Sequence, residues 1–295
     1  MENLGSAKST SQIIKKYGFS FQKRLGQNFL IDDHVLDKIV DAASVGKDDG
    51  VIEIGPGIGT MTQRLCERAG KVIAIEIDSR LIPILEETLS AYDNVSIINA
   101  DVMKTDIRSL AEKDLASLNV KVVANLPYYI TTPIVMELLE KRLPIDSITI
   151  MVQKEVAERM KAKPGTKDYG ALSLAVQYYA QTYYAANVPP NCFIPRPKVG
   201  SGVIRLDIRK EPVTEVYDED HMFEIIRASF NQRRKTLVNA VSNHASLPHS
   251  KKELEEALKK LDLPAAIRGE ALDLNQFAAL SNLLTSKDLY GKISK

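Results

Sequence analysis

At 295 residues the chain can hold one large domain, or a large one and a small one. With 44% hydrophobic and 26% charged residues it has an ordinary globular composition, and no apolar run reaches the roughly 18–20 residues that a membrane-spanning helix needs. A net charge of +1 argues neither for nor against nucleic acid, so any contact with a polyanion has to come from local clusters.

The first 27 residues carry Lys8, Lys15, Lys16, Lys23 and Arg24 against Glu2 alone, and lack the pattern of a secretory signal. Asp32 is placed to cap a helix whose apolar face is Val35, Leu36, Ile39, Val40 and Ala43. Val51–Ile54 reads as a buried strand ending in Gly55-Pro56-Gly57-Ile58-Gly59-Thr60, and Met61, Leu65 and Ala69 mark the helix after it. A second strand, Val72–Ile77, has Glu76 and Asp78 near its tip. The next predicted helix, Arg80–Ala91, admits Pro83 because it falls in the first turn. A third strand, Val95–Ala100, ends in Asp101, and a fourth, Val120–Ala124, ends in Asn125-Leu126-Pro127-Tyr128. Helix Pro133–Arg142, strand Ser147–Val152 and a helix from Lys154 follow. This alternation predicts a doubly wound, mostly parallel α/β sheet.

The pattern changes after Asp168. A helix over Ala171–Tyr179 leads into a strand, Tyr183–Val188, and Pro189, Pro190, Pro195 and Pro197 force an extended loop. Val203–Ile208 then reads as a last strand, antiparallel to the one before the prolines. From Asp218 onward about four helices are predicted, broken at Leu247–Pro248, Leu263–Pro264 and Gly269. A charged stretch over 209–217 is the expected boundary between an α/β domain, 1–210, and a smaller helical one, 211–295. Two further basic clusters, Arg233-Arg234-Lys235 and the looser set Lys154, Arg159, Lys161, Lys163 and Lys167, are either solvated surface or local phosphate contacts. Cys66 and Cys192 have neither metal nor redox spacing, and the four histidines form no ligand pattern. The expectation is a cytoplasmic monomer in a reducing compartment, without a metal.

Three successive strand tips carry chemistry. Glycines after the first strand let the backbone turn and approach a ligand, and Glu76, about 20 residues on, can hold the two hydroxyls of a ribose. The third glycine comes one position early for a dinucleotide, and a carboxylate at Glu53 would repel a pyrophosphate. It would instead welcome a cationic amine such as that of S-adenosylmethionine. Asp101 is either a plain helix cap or an acceptor for the adenine amine. Asn125–Tyr128 joins a carboxamide, a proline-shaped turn and an aromatic face, which suits a planar molecule carrying an amine.

These motifs resemble the ribosomal RNA adenine N6-dimethyltransferase family, and within it the small-subunit (16S) members, known for kasugamycin resistance when lost. The resemblance rests on Gly26-Gln27-Asn28-Phe29-Leu30, Glu53–Thr60, Asn125–Tyr128, Tyr169-Gly170 with Leu172-Ser173, and Val188-Pro189-Pro190 with Phe193–Val199. It implies a Rossmann-like, S-adenosylmethionine-dependent methyltransferase domain followed by a helical domain that binds RNA or the ribosome. Two adjacent adenosines in a hairpin near the 3′ end of 16S rRNA would be dimethylated within an assembling 30S subunit. By resemblance Asn28 and Leu30 meet the methionine end of the cofactor. Gly55 and Gly57 form its loop, Glu76 holds the ribose, Asp101 the adenine, and Asn125 is shared with the substrate.

Adenine N6 is a poor nucleophile because its lone pair is delocalised. Acceptors at the Asn125 oxygen and the Leu126 carbonyl would favour a pyramidal, more reactive nitrogen, with Pro127 shaping the turn. Tyr128 offers a face for the base, a contact worth roughly 1–3 kcal/mol, and Phe193 could close the other face, unless both are ordinary core residues. The competing readings are a 23S methyltransferase of the macrolide-resistance type, a nicotinamide dehydrogenase, and a ribosome-assembly checkpoint without catalysis.

Overall fold

Apolar runs such as Val51–Ile54 and Val120–Ala124 have no polar face to give to water, so they belong in the middle of a sheet covered on both sides. The computed structural model, which describes residues 4–22 and 25–285, places them there. Nine strands occur among the described residues: β1 (Phe29–Leu30), β2 (Asp49–Ile54), β3 (Lys71–Glu76), β4 (Val95–Asn99), β5 (Asn119–Asn125), β6 (Ser147–Gln153), β7 (Ala180–Val188), β8 (Phe193–Ile194) and β9 (Ser201–Ile208). Seven of them form one sheet in the order β4-β3-β2-β5-β6-β9-β7. Strands β2 to β6 run parallel, and β9 lies antiparallel between β6 and β7.

The strand order reverses between β2 and β5. The chain leaves β2 towards β3 on one side, then returns from β4 to β5 on the other. Ligands of open α/β sheets bind outside the carboxyl ends of the strands at such a point. Gly55 and Asn125 are the residues at those two ends.

Local signals explain most helix starts. The Asp32 carboxylate accepts the Val35 amide at 3.1 Å and opens helix Asp33–Ala43. The helix expected at Arg80–Ala91 is shorter, Ile82–Thr88, after a 3₁₀ turn capped by Asp78. Several elements have no counterpart in the sequence reading, among them the helical segments Ile107–Ser109 and Leu110–Asp114. Helix Ala7–Lys16 opens the first unit, and β1 pairs with β8 inside the expected extended loop, with Leu30 opposite Phe193. Among the described residues no helix is long and apolar enough to cross a membrane.

The chain divides into two compact units. One comprises the described residues up to Ala157 together with Ala180–Ile208, and so holds the whole sheet. The other takes Glu158–Tyr179 as well as the described chain from Arg209, where the sequence places a single boundary near 209–217. The reason is aromatic packing within that unit. Tyr169 is buried, touches Phe230 edge-on at 5.9 Å and donates its hydroxyl to the Leu272 carbonyl at 2.9 Å. Tyr178 and Tyr179 both donate to Glu219. The described tail forms four α-helices: Glu219–Asn231, Leu237–Ser242, Lys251–Lys260 and Leu274–Thr285.

The basic clusters separate once placed. Arg233 bonds Glu270 at 2.6 Å and the carbonyls of Lys167 and Thr166 at 2.9 and 3.2 Å, so it clamps its own unit. Arg234, Lys235, Lys163 and Lys167 are exposed, while Lys161 pairs with Glu158. Lys23 and Arg24 lie outside the described residues.

Candidate functional site

An open cleft lies at the reversal point, lined by the loop before β1, the loop after β2, Asn125–Tyr128 and Phe193. One wall is the loop after β2. Gly55 and Gly57 both have positive φ, +72° and +63°, and a side chain on Gly57 would meet the Phe29 ring at 3.1 Å. The opposite wall is Asn125–Tyr128, pinned where the Leu126 amide donates to the Met151 carbonyl at 3.1 Å. The Asn125 amide nitrogen donates to the Asn28 carbonyl at 3.2 Å. That bond fixes the flip of the carboxamide and leaves its oxygen as the acceptor. Asn28 in turn donates its own side-chain amide to Gly26, which shapes the loop before β1. The β1–β8 pair brings Leu30 and Phe193 to the same cleft.

Charge at the floor of the cleft is set by burial. Glu53 lines it from β2 with no exposed surface, and neither carboxyl oxygen has a partner within hydrogen-bond geometry. Burial pushes its pKa up to about 8; the nearby Thr62 hydroxyl opposes this and Glu76 adds to it. The standing carboxylate expected from the sequence is therefore a protonated acid at neutral pH. Desolvation also raises Glu76, against the bonds its oxygens accept from the amides of Asp78 at 2.8 Å and Gly57 at 3.2 Å. The Gly57 bond ties the tip of β3 to the glycine loop.

Next to Glu76 a polar hub secures the N-terminal segment. Asp78 accepts from Gln27 at 2.8 Å and pairs with Arg80, whose guanidinium holds the Asp78 carboxyl below its ordinary range. Arg80 also donates to the Ser20 carbonyl and lies over the Phe19 ring. Phe19 and Phe21 pack against Phe29, which lines the cleft.

A model of the family described as ribosomal RNA adenine dimethylase matches residues 18–283. The chain belongs to this family. The chain is 58% identical over 288 residues to "Ribosomal RNA small subunit methyltransferase A" of Lachnoclostridium phytofermentans, covering 97% of this chain and 99% of that protein. A protein of the same name from Bacillus cytotoxicus is 52% identical, covering 96% and 98%. Among solved structures, a dimethyladenosine transferase from Plasmodium falciparum superposes with a TM-score of 0.72 at 29% identity, covering 85% of this chain and 95% of that one. The 23S rRNA methyltransferase ErmE superposes with a TM-score of 0.66 at 27% identity, covering 87% and 99%.

The methyl donor of the adenine dimethylase family is S-adenosylmethionine. The residues present fit it. An unpartnered buried acid at Glu53 is a group that a cationic ligand would satisfy, and Glu76 already reaches the loop that would cradle a nucleoside. The cleft gathers Asn28, Leu30, Glu53, Gly55, Gly57, Asn125, Leu126, Pro127, Tyr128 and Phe193. Glu76 stands behind the loop. Asp101 is different: it is not among the lining residues, and its carboxylate caps the turn Val102–Lys104 through the Met103 amide at 3.0 Å. Phe29, Thr60 and Met61 also line the cleft and had no assigned role. Phe29 was legible only as part of the Gly26–Leu30 stretch.

Proposed function

We propose that this protein transfers methyl groups from S-adenosylmethionine to the N6 amines of two adjacent adenosines in a hairpin near the 3′ end of 16S rRNA, in an assembling 30S subunit. The observation that carries the proposal is the locked carboxamide of Asn125 beside Tyr128 at the point where the strand order reverses. An oxygen acceptor there, with the Leu126 carbonyl as the second, takes the two N6 hydrogens and lets the nitrogen lone pair leave conjugation. Pro127 sets the turn, Tyr128 offers one face to the base, and Phe193 bounds the other side. Held there, S-adenosylmethionine would supply an electrophilic sulfonium methyl, the electron pair of its carbon–sulfur bond staying on sulfur as N6 bonds to the carbon. The N6 proton then goes to solvent.

The protein's part is positioning and a fixed electrostatic frame, not a strong base. Glu53 and Glu76 would hold the amine and ribose ends of the cofactor, and Asn28 and Leu30 would border its methionine. The target base has to leave its stack to enter the cleft. Identity to the small-subunit enzymes, about twice that to ErmE, supports 16S over 23S rRNA as the substrate. Arg234, Lys235, Lys163 and Lys167 are exposed charges of the helical unit suited to rRNA phosphates.

Mass spectrometry of rRNA from cells with and without the protein is the test. Two adjacent dimethyladenosines should disappear from 16S rRNA when the protein is removed. Their persistence would overturn the proposal, and a loss from 23S rRNA instead would redirect it to the other subunit.

A further inference from the structure

Stacking a base needs only an aromatic face, which phenylalanine supplies as well as tyrosine. The hydroxyl of Tyr128 therefore has another task. It lies 2.8 Å from the hydroxyl of Ser201. Ser201 is buried, 1% exposed, and opens β9 between two hydrogen-bonded neighbours, opposite Gln153 of β6 and Val188 of β7. The sheet thus fixes the serine on both sides. At its other end Tyr128 is held by the turn around Pro127, whose carbonyl accepts the Ile130 amide at 3.2 Å and the Thr131 hydroxyl at 3.1 Å. A ring anchored at backbone and hydroxyl keeps one plane, whereas a ring anchored at the backbone alone turns about its side-chain bonds.

We infer that Ser201 is a positioning residue for methyl transfer, acting through Tyr128 to preset the ring plane against which the target adenine stacks. The serine does not line the cleft itself, so it reaches the site through Tyr128. The inference rests on the proposed function.

A double-mutant cycle on the full chain tests it, using Ser201→Ala, Tyr128→Phe and the pair, with unmethylated 30S subunits as substrate. Both single changes remove the same bond, so each should lower kcat/KM for the particle about fivefold, and the double variant should be no worse than either. Affinity for S-adenosylmethionine, read by calorimetry, should stay within about twofold in all three. A serine that only filled space would give losses that multiply. Such multiplication would overturn the inference, and so would full activity in Tyr128→Phe, which leaves the packing around Ser201 untouched. No transfer by the unaltered protein would overturn the proposed function and this inference together, whereas transfer with multiplying losses overturns the inference alone.

Discussion

A fully buried carboxyl with neither oxygen partnered, as at Glu53, keeps its proton until about pH 8. In the ligand-free protein the folded state then holds a proton that the unfolded chain has already given up above its ordinary 4.5. Stability from this group is complete below that value and declines as pH rises towards 8. Glu53→Gln should flatten the decline, read as melting temperature against pH. A bound cation favours the ionised acid, so binding S-adenosylmethionine below pH 8 should release a proton. Calorimetry in two buffers of different ionisation enthalpy measures that release, and it should vanish in Glu53→Gln. At Asn125 the expected split is different. Asn125→Ala should cost about 100-fold or more in methyl transfer while cofactor affinity changes by no more than about threefold. Equal turnover would remove the acceptor from the chemistry.

Among elements, the segment before β1 depends on Asp78. One carboxylate receives Gln27 and Arg80, and Arg80 carries on to Ser20 and Phe19. Asp78→Ala should speed hydrogen exchange at Phe19–Gln22 and weaken the cofactor about fivefold, because Phe29 loses its backing. Unchanged exchange would place the hold elsewhere. The parallel strands were legible because burial on both faces writes continuous apolar runs, as in Val72–Ile75. Helix Ala7–Lys16 was not. Its first turn is Ala, Lys, Ser and Thr, and what holds it is distant: Ile13, Ile14 and Tyr17 pack near Ile58 and Leu81, while Lys16 and Tyr17 reach Glu87. The two-residue strands β1 and β8 were equally hidden, since a pair so short has no periodicity to read.

At the level of the whole molecule, the strand order placed Gly55 opposite Asn125, and the glycine loop and the tetrapeptide were each readable as motifs beforehand. What no motif reports is commitment of charge. Arg233 and Arg234 are neighbours of the same type, yet one clamps the loop at 166–167 and the other is exposed. Arg233→Ala should lower the melting temperature of the helical unit by a few degrees. Arg234→Ala with Lys235→Ala should leave it alone but weaken binding to 30S particles, with a salt slope shallower by about 1–2. A filter-binding series over salt concentration separates the two.

The helical unit is assembled from two pieces of chain, and synthesis delivers them out of order. Glu158–Tyr179 leaves the ribosome first, the strands β7 and β9 follow, and the helices that bury Tyr169 and Tyr178 come last. Through that interval the nascent protein carries an aromatic surface without its cover, a natural holding point for a chaperone. A message ending near codon 210 would not leave a smaller working enzyme. Its product would keep the whole sheet and the cleft but leave Tyr169 and Tyr178 without the helices that cover them, and it would be cleared or aggregate. Loss of the last third of the coding region should therefore behave in cells as loss of the entire protein.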